Sequence, residues 1–102
     1  MMTMKAPTTT ALEAFAAANL YLLDHVPDRL TADQPRFDEK AQVWRVPVIL
    51  TYPTFGVLGQ VGQVVVSALN EDILSATPAP EMLAAAQTLV APYRDAIEAT
   101  VP

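Results

Sequence analysis

The chain has 102 residues, is 52% hydrophobic and only 17% charged, and carries six Lys and Arg against eleven Asp and Glu for a net charge of −5. That length holds one domain and one core, and so apolar a composition excludes intrinsic disorder. It has no cysteine, which excludes disulfides, Cys-ligated zinc, iron–sulfur clusters and thiol catalysis.

The cations Lys5, Arg29, Arg36, Lys40, Arg45 and Arg94 are scattered. With no basic cluster and a negative overall field, neither nucleic acid nor an anionic membrane surface is expected as a partner. The apolar runs are far shorter than the roughly 20 residues of a membrane span. The Ala-rich start, interrupted by Glu13, lacks a signal-peptide cleavage pattern. A cytoplasmic location is expected.

Residues 1–9, with Pro7, read as a flexible arm. Thr10-Ala11-Leu12-Glu13 fits a capping box. The helix after it places Leu12, Phe15, Ala16, Leu20, Leu22, Leu23 and Val26 on a broad apolar face. Pro27 should end it at about Asp24 or His25. Residues 27–40 are polar, punctuated by Pro27 and Pro35, and read as an ordered loop anchored by Phe37.

Gln42 to Tyr52 is the strongest strand. Trp44, Val46, Val48, Leu50 and Tyr52 alternate onto one face. Pro47 lacks an N–H, so it is expected either at a sheet edge or directed away from a ladder bond. The edge reading leaves one side of the strand open to a second chain. A turn over 53–60, with Gly56 and Gly59, leads to a second strand over Val61 to Leu69. Gly62 there marks a bulge or a close backbone approach. A third short strand, Ile73 to Ser75, follows the turn at Asn70-Glu71-Asp72.

Thr77-Pro78 starts a C-terminal helix, with Thr77 as N-cap. Met82, Ala86, Leu89, Val90, Tyr93 and Ile97 form its stripe. Pro92 should kink or break it near Ala91, and residues 99–102 should fray. The expected architecture is thus one α+β domain over residues 1–102. It has an N-terminal helix, a short antiparallel sheet of two to three strands, and a broken C-terminal helix.

Candidate chemistry is sparse. His25, flanked by Asp24 and Asp28, could be a general base, but at a helix C-terminus it reads as a favourable positive end. The acidic residues Asp24, Asp28, Asp33, Asp38 and Glu39 lack calcium-loop spacing and read as a solvated segment. Gly56, Gly59 and Gly62 lie between strands with no following Lys, so they read as turn chemistry and not as a phosphate cradle. Ser67 and Ser75 lie in no nucleophile-elbow pattern. No catalytic residue, metal ligand or cofactor is expected. Trp44, Pro47, Tyr52, Phe55 and Tyr93 remain as residues for an interface or pocket.

Trp44-Arg45-Val46, followed by Val64 to Leu74, resembles half of a PepSY-type domain over about residues 11–75. That family carries Trp-x-Val and then Val-x-Val-Asp-Ala before a Gly-Glu turn. Here Ser67 stands at the Asp, and Glu71-Asp72 at the Gly-Glu. The resemblance implies a helix packed on a sheet and a regulatory, inhibitory or binding role.

Two functional readings follow. One is a noncatalytic interaction or regulatory module, a homodimer or the partner of another protein. The other is a small-molecule binder whose pocket lies between sheet and helices.

Overall fold

Helix α1 spans Ala11–His25 in the computed structural model, which describes residues 7–99. Its start is the capping box. Thr10 Oγ1 accepts from the Glu13 N–H at 3.1 Å, and Glu13 Oε1 accepts from the Thr10 N–H at 2.8 Å. Two helix-start donors are thereby satisfied. Val26 leaves helical geometry with φ −140°, the bias Pro27 imposes on its predecessor.

The face that α1 buries is not the leucine-rich one. Ala14, Ala18 and Leu22 are its buried residues, while Leu12, Leu20 and Leu23 are exposed. Two alanines on the inner face let the helix axis approach the sheet closely, and the larger side chains then point elsewhere.

The sheet corrects the expectation of two to three strands. Five strands form one curled antiparallel sheet, a half-barrel: β1 (Leu30–Ala32), β2 (Arg36–Asp38), β3 (Val43–Tyr52), β4 (Gly56–Ser67) and β5 (Ile73–Ala76). The order is β1-β3-β4-β5, with β2 also paired to β3. The segment expected to be a loop therefore supplies two strands. Each is three residues long and held by β3, with Leu30 opposite Leu50 and Phe37 opposite Trp44.

Pro47 consequently lies in a central strand and not at an edge. Its carbonyl accepts from the Asp33 N–H at 2.8 Å. In an antiparallel ladder a residue's N and O point to the same side, so the missing N–H faces the interruption between β1 and β2. The defect falls where no ladder bond is required, and β3 is not open to a second chain there. The outer edge of β1 is closed too: Asn19 of α1 accepts from the Ala32 N–H at 3.0 Å and from Thr31 Oγ1 at 3.2 Å. Strand β5 is the other edge.

The turn after β3 is shorter than expected, because β4 already begins at Gly56, whose φ is +75°. Gly59 and Gly62 lie inside β4, beside register shifts opposite Val48/Ile49 and Leu50/Thr51. Helix α2 (Ala79–Val90) crosses β4 at these glycines. A Cβ on Gly62 would lie 2.7 Å from Thr77 Cβ and 2.9 Å from Met82 Cγ.

Thr77 does not cap α2. Its hydroxyl accepts from the Gln63 N–H at 3.0 Å, tying the helix entry to the sheet, and Pro78 holds the N-cap position. After Val90 the chain makes a 3₁₀ turn, Ala91–Tyr93, and then α3, Arg94–Ala99. The interruption sits at Pro92, which cannot donate a helical bond. Of the expected fraying over 99–102, Ala99 falls within α3 and the remainder lies outside the described residues, as does most of the N-terminal arm.

The end of that arm is fixed. Thr9 is buried, donates its N–H to the Ala68 carbonyl at 2.8 Å, and accepts the Glu71 N–H at 3.1 Å through its hydroxyl. The core is built from Val46, Val48 and Leu50 of β3 and Val64 and Val66 of β4. Ala14, Ala18 and Leu22 cover it from α1, and Met82 covers it from α2.

Candidate functional sites

The residues expected to share an interface or pocket are distributed over four places. Trp44 sits at one end of β3, its Nε1 donating to the Thr9 carbonyl at 2.8 Å and its ring 5.2 Å from Phe37. Tyr52 ends the same strand, eight residues away, which is about 26 Å at strand rise. Those two side chains therefore cannot line one site. Phe55, at the hairpin tip, meets Tyr93 of the 3₁₀ turn with ring centroids 5.5 Å apart. Pro47 occupies the sheet face opposite the core, because the alternation of β3 sets it against Val46 and Val48.

His25 is exposed at the end of α1. Its ring stacks on Tyr21 at 3.9 Å, and its Nδ1 lies 2.7 Å from the Tyr21 carbonyl. The hydrogen bond and stack engage the ring with its own helix, and neither Asp24 nor Asp28 is bonded to it. Among the described residues, no group of three His, Asp or Glu side chains is arranged to hold a metal ion. No described helix is long and apolar enough to cross a membrane.

The acidic segment does contain one organised contact. Asp38 accepts from the Ala41 N–H at 3.1 Å and pairs with Arg45, whose Nη2 lies 3.0 Å away. The Ala41 amide first, and then the Arg45 guanidinium, hold the Asp38 carboxyl below its ordinary value of 3.8. A lowered folded-state value stabilises the fold above the unfolded-state value, and the contribution is lost as pH falls through the folded one. Asp38→Asn should therefore flatten part of the stability loss below about pH 4. The effect should be small for an exposed pair. Urea midpoints of both chains at neutral and acid pH measure it.

Two surfaces stand out. The first is the outer face of α1. At 100° per residue, Leu12, Ala16, Leu20 and Leu23 fall within an arc of about 80°, opposite the arc of Ala14, Ala18 and Leu22. The three leucines are 76%, 66% and 68% exposed. This helix is apolar on both faces. The sequence contained the signal, since a face so wide cannot all reach one sheet.

The second surface is a cleft of about 270 Å³ between α2 and the β1/β3 end of the sheet. Leu30, Leu50, Leu83, Ala86 and Val90 form its apolar walls, with Tyr52 and Arg29 at its mouth. Of these, sequence reasoning had singled out Tyr52 alone. Arg29 and Leu30 were missed because β1 is too short to show alternation. The chain matches no family model, no curated protein and no solved structure.

Proposed function

We propose that this chain is a small noncatalytic interaction module that self-associates through the outer face of α1. The observation that carries this reading is the strip of Leu12, Ala16, Leu20 and Leu23, apolar and exposed on a helix whose opposite face already fills the core. The roles implied by the PepSY resemblance, regulatory or binding, are of the same class.

A second copy fits the strip because the strip is nearly symmetric about its midpoint. Two antiparallel α1 helices related by a twofold axis set Leu12 against the partner's Leu23 and Ala16 against the partner's Leu20. Such an interface is isologous, and it places a small residue opposite a large one.

The magnitudes favour association, though a weak one. The three leucines expose roughly 400 Å² per copy, half of the about 800 Å² per partner in a standard interface. Each contributes on the order of 1.5 kcal/mol when covered. The same alignment brings Glu13 near the partner's Asp24, a like-charge contact that costs only a few tenths of a kcal/mol at a surface. Leucine burial wins, and the net charge of −5 on each copy makes the association strengthen with salt.

Sedimentation equilibrium on the full chain tests this. A monomer–dimer equilibrium with a dissociation constant on the order of hundreds of micromolar is expected, tighter at high salt. Leu20→Glu with Leu23→Glu should leave a folded monomer, because both side chains lie outside the core. Leu74→Glu, at an exposed position on β5, should associate like the parent chain. A parent chain that stays monomeric at high micromolar concentration would exclude the proposal.

A further inference from the structure

We infer that the cleft between α2 and the sheet is a binding site for a small amphipathic carboxylate, with Arg29 receiving the carboxylate and the leucine walls its apolar body. The inference goes beyond self-association and does not depend on it, since α1's outer strip contributes no residue to the cleft.

The walls come first. Leu30 and Leu50 are opposite one another in the β1–β3 ladder and form the buried floor. Leu83 and Ala86 of α2 face them. Leu83 remains 39% exposed at this position, so α2, although packed closely on β4, does not close over the β1/β3 end of the sheet. At about 270 Å³, the space lies below the roughly 300 Å³ at which pockets for drug-sized ligands begin. It suits a chain of about eight carbons or a single aromatic ring.

The mouth supplies the polarity. The Arg29 guanidinium lies over the Tyr52 ring, 4.7 Å from its centroid. The Arg29 carbonyl is fixed by the Thr51 N–H at 3.0 Å. A ring beneath and a sheet bond behind restrict where this side chain can go. Among the described residues Arg29 has no carboxylate at ion-pair distance, although the chain carries an excess of acids. Its guanidinium therefore keeps free donors for a bidentate carboxylate, and the apolar floor beside it selects an anion with a hydrophobic body. An Arg29 that served only to cover apolar surface with its stem would give no preference for charge.

Octanoate and octan-1-ol, two probes of equal length, separate these cases in an amide and methyl NMR titration of the full chain. Octanoate should shift Leu30, Leu50, Ala86 and Val90, and should bind about tenfold more tightly than octanol. Arg29→Gln should remove that preference while leaving octanol binding unchanged. Ala86→Leu, which fills the cleft, should weaken both probes. Equal affinity for the two probes, an octanoate preference that survives Arg29→Gln, or shifts centred on Leu12, Leu20 and Leu23 would each overturn the inference.

Discussion

Gly62→Ala should lower the unfolding free energy by about 2–3 kcal/mol, measured from urea unfolding at a fixed protein concentration. The new methyl would lie 2.7 Å from Thr77 Cβ, 2.8 Å from Thr77 Oγ1 and 2.9 Å from Met82 Cγ. Thr77 cannot yield cheaply. Its hydroxyl accepts from the Gln63 N–H, and its own N–H donates to the Gln63 carbonyl, both at 3.0 Å. Rotating Thr77 away leaves a β4 amide without its partner, which alone costs about 1–3 kcal/mol. Moving the backbone instead lifts α2 off the sheet. Gly59→Ala is the internal comparison: the nearest atoms to its methyl would be Leu89 Cδ1 and Cδ2, both at 2.9 Å. That side chain is flexible and can turn aside, so the loss there should be smaller.

Met82→Ala should cost about 2–5 kcal/mol. Met82 is the one buried residue of α2, with no exposed surface, and it joins the valines of β3 and β4 in the core. The helix is otherwise held by half-buried alanines, Leu89 and Val90, so truncation leaves a cavity at its main attachment. Met82 Cγ also blocks the Gly62 methyl, and the two substitutions should therefore be less than additive. The double variant should be about 1 kcal/mol more stable than the sum of its parts. Strict additivity would show that Thr77 alone sets the cost at Gly62.

How far the sequence revealed this architecture depended on whether a signal was local. The capping box at Thr10 and Glu13, the alternation through β3 and the interruption at Pro92 are written within a few residues, and the chain follows them. Strands β1 and β2 are not written that way. Leu30-Thr31-Ala32 and Arg36-Phe37-Asp38 are too short for a periodic pattern, and their pairing partners are up to 20 residues away in β3. Their stability is a property of the pair and not of the segment. A structureless stretch over 27–40 in so small a domain was itself a warning.

For Pro47 the edge alternative followed from that omission, whereas the other alternative, a nitrogen directed away from a ladder bond, is the one the structure shows. With β1 and β2 taken as loop, one side of β3 had no partner strand. Once they are in place, its missing N–H falls in the gap between them. The candidate sites were legible in part. Tyr52 lies in the lining of the cleft between sheet and helix, but Trp44 cannot join it from the far end of the same strand. The outer face of α1 was hidden by abundance. Placing every leucine on one broad apolar face obscured that Ala14 and Ala18, with Leu22, form the contact face. Periodicity finds the apolar positions of a helix, whereas residue size decides which of them can approach a sheet.

The claim that α1 presents a second, self-complementary face is tested most directly by cross-linking, for which a cysteine-free chain is well suited. Single variants Leu12→Cys and Leu23→Cys are mixed at equal concentration and treated with a short thiol-specific cross-linker. Mass spectrometry then separates mixed from like pairs. The antiparallel arrangement predicts mixed pairs well above the statistical proportion, and far more product than from Leu74→Cys, which lies on β5. A random distribution of pairs, or a yield no greater than that of the β5 control, would contradict it.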